Sequence, residues 1–233
     1  MKENSEKIAF KEWVGLVRLP ISISGVFLLF LIGFGVWVYG HTPNVSYIAT
    51  HFGVNGKPNG HMPKLLGLFF GVGVATLITA LFMVLPLIDP RGRNYRNSLK
   101  AIKAVWIGVV LVMTAAQIAV DARALNESFP VIRLVVGFFG LLYIIIGNYL
   151  PKIRSNWFVG IRTPWTLSNE FVWYKTHRLG SIMFVSLGVI ILVAAFVAPT
   201  VYSSYASAIG LLLVVVVVAV YSYMVWRKIT THV

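Results

Sequence analysis

Six apolar stretches, separated by short polar segments, dominate the chain: residues 19–40, 65–88, 104–120, 129–150, 179–199 and 205–226. Each is close to the ~20 mostly apolar residues that a helix needs to cross ~30 Å of hydrocarbon. Five are free of charge, and the fourth carries Arg133 near its start, where a long side chain can snorkel to the headgroups. The pattern predicts an all-α polytopic membrane protein with six transmembrane helices. Pro86 is expected to kink or end the second span. Gly67 and Gly71 form a G-x-x-x-G, with Gly33 and Gly35 in the first span, and read as packing faces within one chain. Gln117 is the most polar side chain well inside a span. Asp89, Asp121 and Glu127 are expected at or beyond helix ends, so no ionisable residue is expected at mid-depth, where a coupled transporter would need one.

The polar segments divide the chain into a tail (1–18), an N-terminal two-helix unit (19–103) and a four-helix unit (104–233). In the tail, Lys7, Ile8, Phe10, Trp13, Val14, Leu16 and Val17 predict an interfacial amphipathic segment with Trp13 at headgroup depth. Loop 41–64 is rich in Gly and Pro, which predicts turns instead of a regular element. Asp89–Lys103 is short and basic, and 121–128 and 200–204 read as tight turns. Residues 151–178 form the other long polar segment.

Composition sharpens this picture. The chain is 58% hydrophobic and 12% charged, with a mean hydropathy of +0.82 and a formal net charge of +13. In a soluble protein that charge would point to nucleic acid, but its distribution does not. Basic residues cluster at Lys2, Lys7, Lys11 and Arg18, at Arg91–Lys103, at Lys152–Arg178 and at Arg227 and Lys228. All but four of the 20 (Lys57, Lys64, Arg123 and Arg133) therefore fall on one side of the membrane. The positive-inside rule makes that side cytoplasmic, giving N-in/C-in topology, and anionic lipids account for the excess charge. The expected partners are therefore a bilayer with anionic lipids and no nucleic acid. The absence of cysteine excludes disulfides, thiolate chemistry and Cys-based metal sites. The first apolar run is too long for a signal-peptide core and reads as an uncleaved helix.

Candidate chemistry is sparse. His41, His51 and His61 share loop 41–64, but a spacing of ten without a carboxylate is not a recognised metal pattern. No nucleophile elbow, zinc-protease motif or phosphate loop is present, so no catalytic residue and no cofactor is expected. If 168–178 is helical, Glu170, Tyr174 and His177 share a face, as a surface ion pair or helix cap or, less economically, as an acid/base pair. Pro151 ends the fourth span, and Thr163 before Pro164 reads as a helix N-cap with proline at the first position. Trp157, Trp165 and Trp173 recur every eight residues among Arg and Lys. That is the composition of a segment in the headgroup layer, either a structural cap or a recognition surface.

The stretch GNYLPKIRSNWFVGIRTPWTLSNEFVWYKTHRLG at 147–180 resembles the signature of the SdpI/YfhL family of bacterial membrane proteins. Asn148, Pro151, Arg154, Asn156, Gly160, Arg162, Thr163, Pro164, Trp165, Thr166, Trp173, Thr176, His177 and Arg178 carry the likeness. Upstream, Thr50, His51, Phe52, Gly56, Pro58 and Lys64 resemble a short N-terminal domain of unknown function that often precedes the signature, as does the run Asp89-Pro90-Arg91 with Asn94-Tyr95. Asn59 stands where relatives usually carry an acid. The resemblance implies an immunity protein of the bacterial cytoplasmic membrane, protecting against a secreted peptide toxin. In one branch it also implies retention of a transcriptional repressor at the membrane. A transporter or channel for ions or small solutes, and a signalling scaffold, are the alternatives from other classes.

Overall fold

In the computed structural model, residues 8–126 and 128–231 are described. Residues 1–7 of the expected tail, with Lys2 and Lys7, and Glu127 of the 121–128 turn lie outside the described residues. A short helix α1 (Phe10–Leu16) leads into α2 (Arg18–His41), followed by strands β1 (Tyr47–Phe52) and β2 (Pro58–Pro63) and helix α3 (Lys64–Ile88). After the one-turn α4 (Asn94–Asn97) come α5 (Leu99–Leu125) and α6 (Val131–Tyr149), which continues into a 3₁₀ turn at Leu150–Lys152. The short α7 (Pro164–Ser168), α8 (Glu170–Val197) and α9 (Thr200–Thr230) complete the chain. Among the described residues, six helices are long and apolar enough to cross a membrane. An even number of crossings returns the chain to the end where it began. The signature, the Asp89–Ser98 connection and both ends of the described chain therefore share one end of the bundle, and the hairpin occupies the other.

Three spans start earlier than hydropathy predicts: α9 begins at Thr200, so residues 200–204, expected as a tight turn, are its first helical turn. α5 begins at Leu99, and α8 begins at Glu170 because Asn169 accepts hydrogen bonds from the Phe171 and Val172 N–H groups and opens the helix there. Polar first turns hide a helix start from a hydropathy window without preventing the helix. α5 likewise runs on to Leu125, because Ala122–Leu125 are strong helix formers. This buries Asp121, which was expected at the helix end, one turn inside it.

The expected irregular loop is also corrected, because β1 and β2 form an antiparallel hairpin. Gly56 at φ +77° and an Asn55 side chain accepting from the Lys57 N–H shape its turn. The prolines of β2 stand at its two ends, Pro58 and Pro63, where a missing N–H is tolerated. Trp13 is corrected as well. It is fully buried, donates through Nε1 to the Phe82 carbonyl at 3.2 Å and packs edge-on against Tyr95. Ile8, Val17, Ile102, Trp106 and Val110 complete that core.

Glycines set how closely the helices approach. A Cβ on Gly67 would lie 2.6 Å from Ile48 of the hairpin, and one on Gly71 would lie 2.4 Å from Gln117 Oε1. Gln117 accepts from the Gly71 N–H at 2.7 Å and donates to the Gly67 and Leu68 carbonyls at 3.0 Å. The G-x-x-x-G is thus an intramolecular seat for a polar side chain and a strand. α6 and α8 are in near backbone contact, since a Cβ on Gly140 would sit 2.7 Å from the Leu192 nitrogen and one on Gly147 equally close to that of Val185. α5 packs on α2 and α3 on one side and on α6 on the other, joining the two halves.

Backbone cannot yield as a side chain can. Gly140→Ala should lower stability by ~1–3 kcal/mol, whereas Gly33→Ala, with nothing within 4 Å, should be neutral. Thermal unfolding of the purified protein in mild detergent, followed by size-exclusion chromatography, would read both.

Candidate functional site

The Asp89–Ser98 connection carries a buried carboxylate into the signature. Asp89 is fully buried at the end of α3. Its Oδ1 accepts from the Arg91 N–H at 2.7 Å, and its Oδ2 from the Trp157 N–H at 2.9 Å and the Tyr95 hydroxyl at 3.2 Å. Burial, and then the negative charge of Asp89, push the Tyr95 phenol well above its ordinary value, so Tyr95 remains a donor. Arg91 donates to Ser155 Oγ and to the Leu167 carbonyl at 3.0 Å, and its guanidinium lies 5.9 Å from the Trp157 ring. Asn94 donates to the Ser155 carbonyl at 2.7 Å, and Ser98 Oγ accepts from the Arg154 N–H at 2.8 Å. These bonds join the first half of the chain to the signature.

The signature is held from within by its own polar residues. Asn156 accepts from the Phe158 and Val159 N–H groups and donates to the Arg154 and Val159 carbonyls, which occupies its whole amide. Gly160 sits at φ +114°, and a Cβ there would lie 2.5 Å from His177 Nε2. His177, nearly fully buried, accepts from the Ile161 N–H at 3.1 Å through Nε2, and its Nδ1 pairs with the Trp173 carbonyl at 2.9 Å. Those partners define a neutral ring with its proton on Nδ1. Trp173 stacks on that ring at 4.0 Å and donates to the Ile153 carbonyl at 2.8 Å. Thr163 and Thr166 form the capping box of α7, with Pro164 at its first position, and Thr163 reaches Ser222 of α9 at 3.0 Å. The predicted cap at Thr163 is present.

The signature residues therefore divide in two. Asn156, Gly160, Thr163, Thr166, Trp173 and His177 build the segment, and Thr176 is buried in the first turns of α8. Trp173 is core, not a headgroup-layer ring, because its indole and the His177 imidazole need each other's flat face. Asn148, Pro151, Arg154, Arg162, Pro164 and Arg178 are exposed, and Trp165 packs against Tyr223 of α9. Arg162 donates to the Trp157 carbonyl and Arg178 to the Tyr174 hydroxyl. Between α4 and the start of α8 lies a cleft of about 270 Å³, lined by Asn94, Asn97, Pro151, Arg154, Glu170, Tyr174 and His177 among others. Glu170 and His177 do share this face, but both imidazole nitrogens are occupied by backbone, which removes the ring from proton-transfer work. Amides, one cation, one anion and a phenol suit the cleft to binding a polar or peptide-like group. Sequence reasoning missed Ser98 and Ser155, whose roles show only once the two halves are brought together.

At the opposite end, His51 Nδ1 contacts Asn59 Oδ1 at 2.5 Å, and His41 lies against Trp37, its Nδ1 2.8 Å from the Trp37 carbonyl. His61 lines a separate cleft of about 380 Å³ between the hairpin and Arg123 of α5. Among the described residues, no three His, Asp or Glu side chains are gathered as metal ligands. Lys64 is buried, donating to the Tyr39 and Thr42 carbonyls at the end of α2, which gives it a structural post. Gly56 shapes the hairpin turn and Pro58 opens β2.

A helical bundle with six membrane-spanning helices, closed at one end by this folded signature, defines the class: a polytopic membrane protein. Residues 152–226 match the SdpI/YfhL protein family, and residues 26–76 match a domain of unknown function, DUF1648. The chain is thus similar to SdpI/YfhL proteins over one segment and to DUF1648 over another ahead of it. The Asp89–Tyr95 run lies between the two matched ranges. A 66-residue stretch, 28% of the chain, is 41% identical to the immunity protein SdpI of Bacillus subtilis (strain 168) and spans 32% of that relative's length. No solved structure matches the chain.

Two substitutions probe the signature. Gly160→Ala should cost ~1–3 kcal/mol through backbone strain alone, more once its Cβ displaces His177, and should lower the unfolding temperature. Asp89→Asn leaves one acceptor oxygen where there were two, so its NH2 must face either the Arg91 N–H or the Trp157 N–H and Tyr95 hydroxyl, and it should cost ~1–3 kcal/mol. Hydrogen exchange should then rise in residues 153–169 while the spans stay protected.

Proposed function

We propose that this is an immunity protein of the bacterial cytoplasmic membrane, protecting its host against a secreted antimicrobial peptide. The observation that carries this reading is the 41% identity to that immunity protein, together with the SdpI/YfhL match over 152–226. The charge distribution supports N-in/C-in topology, with the hairpin outside and the signature inside. On this reading an arriving peptide meets the hairpin and the cleft beneath it, lined by Tyr47, His61 and Arg123. The signature cleft, facing the cytoplasm, is the surface available to a soluble regulator such as a repressor. No enzymatic step is needed. Expression in a strain sensitive to such peptides should raise the lethal dose at least several-fold, and unchanged killing across a panel of them would overturn the reading.

One observation favours a second reading, a proton- or ion-conducting protein. Asp121 is fully buried within α5, with one oxygen accepting from Gln117 at 2.6 Å and the other without a partner. Buried ionisable groups inside spans commonly mark ion pathways. Proteoliposomes should then show a flux that Asp121→Asn abolishes, and no flux under any gradient would remove this reading.

A further inference from the structure

We infer that the groove between α6 and α8 at the hairpin end is a binding site for one anionic phospholipid, with its phosphate on Arg133 and an acyl chain along the groove. The groove encloses about 230 Å³ and is lined by Arg133, Gly137, Phe138, Leu141, Leu192 and Phe196, with Leu134 at its edge. Its shape follows from the tight helix pair. α6 and α8 meet at Gly140 and Gly188, where each glycine's added Cβ would strike the other helix's backbone. One turn away, a Cβ on Gly137 would meet only Ala195, at 3.6 Å. The missing side chain leaves a trough beside the contact, flanked by Phe138 and Phe196.

Position selects the occupant. The groove lies on a membrane-spanning helix pair, and Phe196 is 70% exposed on its outer wall, so what fills it must be at home among lipid tails. From Arg133 to Leu141 is eight residues, about 12 Å of helix, a length that an acyl chain can follow while its headgroup stays at the surface. Arg133 is exposed at the mouth. An arginine in the first turn of a helix opposes that helix's macrodipole, which favours negative charge there. It is also one of the few cations at this end of the chain. A phosphate answers both conditions, accepting the guanidinium's forked donors and placing negative charge where the helix favours it. A zwitterionic lipid brings a compensating ammonium, whereas phosphatidylglycerol does not, and the preference should be for the anionic lipid.

The test uses the full chain in mild detergent, titrated with phosphatidylglycerol, phosphatidylethanolamine or phosphatidylcholine and read by native mass spectrometry. Wild type should bind one phosphatidylglycerol in preference to the others, and millimolar inorganic phosphate should not displace it. Arg133→Gln should reduce that preference about five-fold, while Arg133→Lys should keep most of it. Leu141→Trp, which fills the groove and leaves Arg133 in place, should weaken all three lipids together; its unfolding temperature would separate blocking from misfolding. Equal binding of the three lipids by wild type would overturn the site, as would an anionic preference that survives Arg133→Gln in a folded protein. Displacement by inorganic phosphate would also overturn it, by showing an anion site that needs no acyl chain.

Discussion

A single buried carboxylate governs how the two halves of this molecule meet. Asp89 leaves water entirely, and a buried acceptor of that kind must be met by donors or remain a heavy penalty. Its donors come from two places in the chain: Arg91 and Tyr95 close by, and the Trp157 backbone far along. The local donors hold the connection in a tight turn, and the distant one pins the signature on top of it. Gly92 completes the turn, since a Cβ there would lie 2.4 Å from the Pro86 carbonyl. The proline that sequence patterning marks as a kink or end of α3 therefore has a second role, as the floor on which the turn closes.

Around this fixed point the signature behaves as a small folded element. Asn156, the Gly160–His177–Trp173 stack and the Thr163 capping box each satisfy backbone groups that no helix or sheet reaches. Residues 153–163 thus hold one shape without regular secondary structure. Arg154, Arg162, Pro164 and Arg178 stay exposed on its outer surface. The hairpin end is organised differently. There a strand residue, Ile48, and a buried glutamine, Gln117, occupy the space that two glycines leave open.

How much of this the sequence revealed depends on which forces leave a pattern. Crossing a membrane demands long apolar runs, so all six spans could be read directly. Caps have a short-range grammar, so Thr163-Pro164 was legible too. Tryptophan beside lysine and arginine was not, because the same composition serves a headgroup layer or a core. Trp13 and Trp173 are core because of partners 69 and 20 residues away. The hairpin was hidden because β2, PNGHMP, has little strand propensity of its own and is held by pairing with β1. The burial of Lys64 was not legible either, because it depends on two carbonyls at the end of α2. In the candidate site, Asn156, Gly160 and His177 could be singled out by resemblance, but their structural duties could not be read locally.

The Asp89 hold also sets a timetable for making the protein. The Trp157 N–H lies 68 residues beyond Asp89, so at ~5–20 residues per second it emerges roughly 3 to 14 seconds later. Throughout that interval α3 is complete while its terminal carboxylate lacks its distant donor and remains accessible to water. The joint between the two halves can therefore close only after the fourth span has been delivered. Synthesis halted between them would leave a hydrated acid where the finished molecule has a sealed joint, a mark by which unfinished chains differ from finished ones.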